Sequence, residues 1–241
     1  LGSLPQVERE RVFPLLELVP MTLGDVLYES GRHLRYAYFP TSCIVSLVHI
    51  LEDGASSEIG GVGNEGIIGI ALFMGGEPTP SRAVVQNGGY AYRLKSQRLK
   101  QEFERSGELR QVLLRYTMAL IAHTAQNAVC NRHHSLDKQL CRRLLLSLDR
   151  LASDTLPMTQ ELIAQMLGVR REGVTAAAGK LQEAGLIQYS RGTITVLERA
   201  GLALRSCECY ETVRREIDRR VPMPGRSEGR GRSGQPALVS A

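Results

Sequence analysis

The chain has 241 residues, of which 43% are hydrophobic and 23% charged, a balance typical of a globular protein with room for two domains. No apolar run approaches the roughly 20 residues that a bilayer-spanning helix needs. The N-terminus lacks a basic segment followed by an apolar core, so no secretory signal is predicted. These features argue against a membrane protein and predict a cytoplasmic location.

The net charge of +5 is unevenly distributed along the chain. Residues 1–137 hold 13 Lys and Arg against 14 Asp and Glu, whereas residues 138–221 hold 14 against 10. The basic surplus therefore lies in the C-terminal part, as phosphate binding would require.

The first 107 residues are predicted to form a β-rich domain after a short helix over residues 5–20. From Val19 to Leu94, short β-rich runs alternate with Gly, Asn, Asp and Pro, which indicates a small antiparallel barrel or sandwich. Leu51 to Gly54 is predicted to be a hairpin turn. The runs are VLYES, RYAYFP, CIVSLVHIL, SSEIGGVG, IIGIALF, RAVVQ and YAYRL.

A long helix is predicted from Glu108 to about Arg132, with a hinge after it, so that residues 108–134 form a separate unit. The helix carries two apolar rows, and a helix packed only on its own domain needs one. One row can pack on the barrel and the other on the same helix of a second copy, so the pattern favours a parallel homodimer. The alternative is a single helix that is deeply buried within one chain. The row assigned to the dimer is Leu113, Tyr116, Leu120, His123, Asn127 and Cys130. The second row is Leu114, Met118, Ile121, Ala125 and Ala128.

Residues 158–187 predict two short helices joined by a tight turn. Thr159 can cap the first helix, and Gly168 can take the positive φ that the turn needs. The second helix is predicted from Arg170 to Ala184, with Gly185 ending it. Its inward residues are predicted to be Val174, Ala177, Leu181 and Ala184. Its outer face is small in the middle, polar at the N-terminal end and basic at the edges.

Two β-rich runs around Ser190-Arg191-Gly192 predict a hairpin after these helices, so residues 135–221 predict a winged helix-turn-helix domain. Such a helix can enter a DNA major groove. The alternative is a sensor or protein-interaction module whose two helices contact no DNA. An enzyme is not expected, because the sequence has no Ser/His/Asp set, phosphate-cradling Gly-rich lysine motif or H-E-x-x-H motif.

The five cysteines are Cys43, Cys130, Cys141, Cys207 and Cys209. No C-x₂-C pair occurs and Cys207-x-Cys209 is too close for usual zinc spacing, so no metal site is predicted and reduced thiols are expected. A redox role for Cys130, Cys207 or Cys209 stays open. Residues 222–241 are rich in Pro, Gly, Ser and Arg and are predicted to be a disordered tail.

The order of a β-rich domain, a long helix, a hinge and a winged helix-turn-helix resembles the Crp/Fnr family of bacterial transcription regulators. The resemblance covers about residues 15–210, and its most specific part is the Gly-Val-Arg-Arg-Glu-x-Val run at 168–174. VPMTLGDVLYESG and VGNEGIIGIALF resemble the family's barrel segments. The resemblance implies a cyclic-nucleotide-binding-like sensor domain and a homodimer on a two-fold symmetric DNA site. RNA polymerase is a further candidate partner.

By position, the resemblance implies that Arg171 and Glu172 contact bases. An arginine can bind guanine bidentately and a glutamate can accept a hydrogen bond from cytosine. Ala176 stands where many members have another arginine, so Thr175 and Ala176 are expected to contact a thymine methyl instead. The expected phosphate contacts are Thr159, Gln160, Arg170, Lys180 and Arg191.

The effector site departs from the family pattern. Where the family has Gly-Glu and Arg-Ser/Thr-Ala, this chain reads Gly66-Ile67 and Ser81-Arg82-Ala83. Ile67 cannot accept a hydroxyl hydrogen bond, and a one-residue shift turns Arg82 to the opposite face of its strand. Cyclic AMP is therefore not expected as the effector, and no cofactor is assigned. Gln126 and Asn127 fall where family members contact the effector across the dimer.

Overall fold

The computed structural model describes residues 1–76 and 78–221 of the chain. The predicted disordered tail, residues 222–241, lies outside the described residues. No helix within the described ranges has both the length and the apolar character needed to cross a membrane.

The N-terminal helix is shorter than the sequence predicts. Helix α1 spans Gln6–Val12, a 3₁₀ turn covers Phe13–Leu15, and strand β1 begins at Glu17 and ends at Met21. The predicted helix over residues 5–20 is wrong beyond this turn. The chain becomes extended at Leu16, and the backbone of β1 forms its hydrogen bonds in a sheet instead.

The N-terminal domain consists of two antiparallel sheets that form a jelly-roll-like arrangement rather than a closed barrel. The further strands are β2 (Val26–Tyr28), β3 (Tyr36–Pro40), β4 (Ile44–Ile50), β5 (Ser56–Val62), β6 (Arg82–Asn87) and β7 (Gly89–Lys95). One sheet has the order β1-β7-β3 and the other β2-β6-β4-β5. Buried side chains of both sheets share one hydrophobic core.

Glycines with positive φ determine the backbone of two segments in this domain, the β4–β5 turn and the IIGIALF run after β5. The β4–β5 turn forms at Leu51–Gly54 as predicted, with Gly54 at φ +84° and its N–H donating to the Leu51 carbonyl at 3.0 Å. The IIGIALF run does not form the predicted strand. Positive φ at Gly69 interrupts it, leaving one bridge at Ile68 and the short helix α2 (Ala71–Met74), which ends at Gly75.

A short helix α3 (Ser96–Glu104) leads into α4 (Glu108–His133), which matches the predicted long helix. The Glu8 carboxylate on α1 accepts hydrogen bonds from the backbone N–H groups of Glu108 and Leu109, at 2.7 and 2.9 Å. These bonds satisfy free N–H groups of the first turn of α4. His134 and Ser135 then connect α4 to α5 (Leu136–Leu148).

The C-terminal domain packs helices around a small sheet. Its remaining elements are β8 (Thr155–Pro157), α6 (Gln160–Leu167), α7 (Arg171–Glu183), β9 (Ile187–Ser190), β10 (Thr193–Val196), α8 (Arg199–Arg205) and α9 (Cys209–Arg220). The sheet has the order β8-β10-β9, so the predicted two-stranded wing has a third strand. Helix α9 returns to pack along α4, which joins the two halves of the chain.

Candidate nucleic-acid interface

Helices α6 and α7 form the predicted helix-turn-helix. The Thr159 hydroxyl accepts a hydrogen bond from the Leu162 N–H at 3.1 Å and caps α6. Gly168 has φ +65° in the turn, and Gly185 has φ +69° just after α7. Both glycines occupy the left-handed region where a side chain would be strained. The turn is therefore fixed by backbone conformation as well as by packing.

The inner face of α7 is anchored in the core of the domain. Val174, Ala177 and Leu181 are buried as predicted, and Ala178 is buried with them, whereas Ala184 is only partly covered. The opposite side exposes Arg171, Glu172, Thr175 and Ala176. Burial of one face holds the helix rigidly, so the other face can be presented to a partner.

A hydrogen-bond cluster orders the exposed start of α7. The Gln160 side-chain oxygen accepts a hydrogen bond from the Thr175 hydroxyl at 2.9 Å and lies 3.5 Å from Arg171 Nε. Gln160 therefore contacts Thr175 and Arg171, two of the residues expected to meet bases. Because these contacts restrict the rotamers, they reduce the entropy lost on binding.

Cations lie around this face at three positions. Arg170 is exposed at the N-cap of α7. Lys180 forms an ion pair with Asp137 at 3.0 Å, at the start of α5. Arg191 and Gly192 form the two-residue wing turn, with φ values of +49° and +77°. Such a pair of positive φ angles is typical of the tight turn that suits a twisted hairpin, and it places the exposed Arg191 at the tip.

The first turn of α7 also borders a cleft shared with the N-terminal domain. The cleft has a volume of about 910 Å³ and is lined by the β4–β5 hairpin, including His49 and Leu51, and by Arg170, Arg171 and Glu172. A Cβ atom added to Gly168 would lie 3.4 Å from the Ser57 hydroxyl of β5. The helix-turn-helix is thus docked beside β5 in this structure.

Two buried arginines, Arg143 on α5 and Arg150 just after it, join the two domains. Arg143 forms an ion pair with Glu58 on β5 and donates to Gln86 Oε1 at 2.7 Å. Arg150 donates to Glu65 at 2.8 Å. Burial lowers the pKa of Arg143, while the Glu58 carboxylate opposes that effect. A buried charge is tolerated only when it is paired, so these contacts keep the domains in register.

Two glycines allow this close approach. A Cβ atom on Gly63 would lie 2.8 Å from the Arg150 side chain, and one on Gly66 would overlap the Tyr116 hydroxyl. The glycine-rich segment after β5 therefore leaves room for Tyr116 of α4 and for Arg150 of the C-terminal domain. In the sequence these glycines are visible only as residues within and between the β-rich runs, and this close packing explains them.

His123 on α4 lies close to the same arginines. Burial lowers the pKa of this imidazole well below its usual range, and the positive charges of Arg150, Arg142 and Arg143 lower it further. Among the described residues, its Nε2 atom has no hydrogen-bond partner. His123 is therefore a neutral core residue at pH 7.

The six expected effector residues do not line one cavity. Gly66 and Ile67 line a largely apolar cavity of about 450 Å³ together with Tyr116, whereas Arg82 lines another of about 180 Å³. Ser81 lies 3.1 Å from the Thr79 hydroxyl.

The other two expected effector residues have partners elsewhere. Gln126 donates to Cys209 Sγ at 3.0 Å. Asn127 donates to the Ile59 carbonyl at 3.0 Å and accepts from Arg142 at 2.6 Å.

The row of α4 that was assigned to the dimer is the buried one, and the second row is largely exposed. All six residues assigned to the dimer are buried within the single chain, where α4 packs mainly against α9 and β5. The buried residues are Leu113, Tyr116, Leu120, His123, Asn127 and Cys130. In the second row, Met118 is 47% and Ile121 52% exposed, Ala125 and Ala128 are exposed and Leu114 is partly covered. Val129 is 50% exposed as well.

Sequence reasoning missed one group of residues. Cys130, His134, Cys207 and Cys209 converge where α4 ends, with their ligand atoms all within 4.8 Å of one another. Burial raises the pKa of Cys130 to about 12. A signal was present in the C-x-C pair and in the four-residue spacing of Cys130 and His134, but nothing in the sequence shows that the two pairs meet.

Comparisons with known proteins agree with this architecture. Residues 138–205 match the Crp-like helix-turn-helix domain, and residues 19–106 match the cyclic nucleotide-binding domain. The chain belongs to the Crp/Fnr family. It is a transcription regulator with a helix-turn-helix DNA-binding domain, and not an enzyme. No curated protein sequence matches the chain significantly.

Solved structures of Crp/Fnr regulators have the same fold at low sequence identity. A CRP-family regulator from Thermus thermophilus superimposes with a TM-score of 0.66 at 18% identity, covering 78% of this chain and 96% of its own. FixK2 from Bradyrhizobium japonicum gives 0.64 at 16% identity, covering 80% and 98%. A Crp/Fnr regulator from Eubacterium rectale gives 0.63 at 18% identity, covering 85% and 95%.

Proposed function

We propose that this regulator acts as a homodimer that reads a two-fold symmetric DNA site with α7 of each copy. The observation that carries the proposal is the exposed, small and polar face of α7, with basic residues at its edges. Arg171 and Glu172 are assigned to base edges, and Thr175 and Ala176 to a thymine methyl. The phosphate contacts are assigned to Thr159, Gln160, Arg170, Lys180 and Arg191.

The dimer is assigned to the outward row of α4. Met118, Ile121 and Val129 are large apolar residues that are about half exposed on one helix, and Leu114, Ala125 and Ala128 complete the surface. Apolar rows at this spacing pair across parallel helices. Two copies joined in this way would present their α7 helices to successive major grooves, about 34 Å apart.

The effector is proposed to be something other than cyclic AMP. A cyclic nucleotide carries a charged phosphate and a ribose hydroxyl, and both need polar partners. Ile67 offers no such partner, and the cavity that it lines is mainly apolar. Ser81 and Arg82 have nearby partners in Thr79 and Glu29.

A bacterial regulator that binds chromosomal DNA works in the cytoplasm, so the cytoplasm is the location that we propose for this protein. RNA polymerase remains a proposed partner of the DNA-bound dimer.

To test the proposal, the purified full chain is mixed with a pool of random DNA duplexes at low and at moderate salt, and the duplexes that it binds are sequenced. The proposal expects an inverted repeat to be enriched, and binding that weakens steeply as salt rises. Arg171→Ala protein provides the comparison, since it should enrich a pool with relaxed preference at one position of each half-site. Enrichment of an asymmetric site, or of no sequence, would refute the proposal.

A further inference from the structure

Four metal-ligating side chains meet at the junction between the long helix and the DNA-binding domain. Cys130 lies near the end of α4, and His134 is the residue that ends this helix. Cys207 and Cys209 come from the connection between α8 and α9. The residues thus come from two separate parts of the chain, and all four ligand atoms lie within 4.8 Å of one another.

The spacing of these atoms suits a single tetrahedral ion. Zinc bonds of about 2.3 Å to sulfur and 2.0–2.1 Å to nitrogen place two tetrahedral ligand atoms roughly 3.5–3.8 Å apart. The Sγ atoms of Cys130 and Cys207 are 3.6 Å apart, and Cys209 Sγ lies 3.4 Å from His134 Nδ1. An iron–sulfur cluster would spread its ligands over several iron atoms and would need a wider arrangement.

The cluster is closed to solvent on the cysteine side. Cys130 and Cys209 are fully buried and Cys207 is 5% exposed. These three cysteines form a small packed group of their own, separate from the two large cores. Four protein ligands leave no open coordination position, which is typical of a structural zinc site rather than a catalytic one.

Neighbouring groups orient two of the ligands. Nε2 of His134 lies 3.3 Å from the Glu208 carboxylate, so the carboxylate can accept a hydrogen bond from the Nε2–H group while Nδ1 faces the cysteines. A metal-binding histidine commonly has a carboxylate partner of this kind. Gln126 donates a hydrogen bond to Cys209 Sγ at 3.0 Å, which would stabilise a thiolate.

We propose that Cys130, His134, Cys207 and Cys209 bind one Zn²⁺ ion. On binding, each of the three thiols releases its proton to solvent and His134 binds as neutral imidazole. The ion would cross-link the end of α4 to the start of α9 beside the hinge. It would therefore hold the DNA-binding domain on the dimer helix. This proposal does not depend on which DNA the protein reads.

The first experiment measures the zinc content of the full chain, purified under reducing conditions without chelator, followed by replacement of zinc with Co²⁺. We expect about one zinc per chain, and a cobalt spectrum with intense tetrahedral d–d bands and a thiolate charge-transfer band. These bands report directly on ligand type and geometry, so they test the site without any substitution.

Variants then identify the ligands. Cys207→Ser and Cys209→Ser should lose the zinc, whereas Cys141→Ser, which alters another buried thiol, should retain it. His134→Cys supplies a fourth sulfur and should retain zinc, and its Co²⁺ form should have a stronger thiolate charge-transfer band. Circular dichroism on each variant separates loss of metal from loss of fold.

Three results would overturn the proposal. The first is a folded, reduced wild-type chain that binds neither zinc nor Co²⁺. The second is iron together with inorganic sulfide. The third is a native Cys130–Cys207 disulfide, detected as a mass loss of about 2 Da without bound metal.

Discussion

At the start of α7, the physical requirements of DNA reading fall on a few exposed side chains. Arg171 carries a planar, permanently charged fork that matches the two acceptors of guanine. Its Nε atom lies 3.5 Å from the side-chain oxygen of Gln160, and this contact restricts the Arg171 rotamers before DNA binds. Side chains held in this way convert more of their contact energy into affinity.

Replacing Arg171 with alanine should weaken binding to the selected duplex by roughly 1–3 kcal/mol, about 5- to 150-fold, and relax the preference at one base pair per half-site. Fluorescence anisotropy on the selected and a scrambled duplex measures both effects. The exposed Arg98 on α3 provides a matched control, and Arg98→Ala should bind as the wild type does. An equal loss on both duplexes would make Arg171 a phosphate contact.

The buried His123 predicts a pH dependence of stability. Its folded-state pKa is well below the ordinary value, whereas the unfolded imidazole takes up a proton near pH 6.5. As the pH falls below about 6.5, His123 becomes protonated in the unfolded state but stays neutral in the folded state. The free energy of unfolding therefore decreases. His123→Gln should reduce the difference in melting temperature between pH 7 and pH 5. His33→Gln, at an exposed position, should leave it unchanged, and equal slopes for all three proteins would contradict this account.

At the scale of elements, the two faces of α4 differ in burial. The inner face is covered by β5 and α9, and the outer face exposes Met118, Ile121 and Val129. Ile121→Glu places a charge in the proposed dimer interface, where burial without a partner is costly. Light scattering should then report a monomer at concentrations where the wild type is a dimer.

Two controls accompany that change on α4. Gln97→Glu, at an exposed position of the neighbouring helix α3, should leave the dimer intact. Leu120→Ala, on the inner face, should lower the free energy of unfolding by roughly 2–5 kcal/mol without altering association. If Ile121→Glu remains dimeric, the outward row does not form the interface.

The wing is a second element with a separable role. Arg191 occupies the left-handed region at the tip, where a non-glycine residue is uncommon. Arg191→Gly should therefore keep or slightly raise thermal stability while it removes one phosphate contact. The slope of log affinity against log salt should fall by about 1 for each copy bound. An unchanged salt slope would show that the wing tip does not touch DNA.

The elements themselves could be predicted because their signals are local. Thr159 caps α6, Gly168 turns the chain, and the spacing of Val174, Ala177 and Leu181 sets the inner face of α7. Local patterns could not decide which row of α4 faces inward, because the residues that cover it lie on β5 and α9. The IIGIALF run was wrongly predicted as a strand for a different, local reason: the positive φ of Gly69 interrupts the β preference of its neighbours.

At the scale of the whole molecule, the buried arginines of the DNA-binding half hold it against the sensor-like domain. Arg143→Met leaves Glu58 buried with no charge partner, which should cost about 3–5 kcal/mol in stability. Urea unfolding of the full chain measures the change. Arg143→Met combined with Glu58→Gln should recover part of the loss, because the amide needs no counter-ion. A single variant as stable as the wild type would contradict a structural role for the pair.

The domain order and the family could be predicted from the sequence, but the domain interface could not. Arg142, Arg143 and Arg150 lie in a stretch that reads as an ordinary amphipathic helix. The partners of Arg143 and Arg150, Glu58 and Glu65, lie 85 positions earlier in the chain. The cysteine and histidine cluster was missed for the same reason, because its two pairs are brought together only by the return of α9 to α4.

The central claim is that two copies joined through α4 place two α7 helices in neighbouring major grooves. The direct measurement is the mass of the protein–DNA complex, by light scattering, on the selected duplex and on one with about 5 base pairs, half a helical turn, inserted between the half-sites. The account predicts two chains on the selected duplex and loss of that complex after the insertion. One chain per duplex, with affinity indifferent to the insertion, would contradict it.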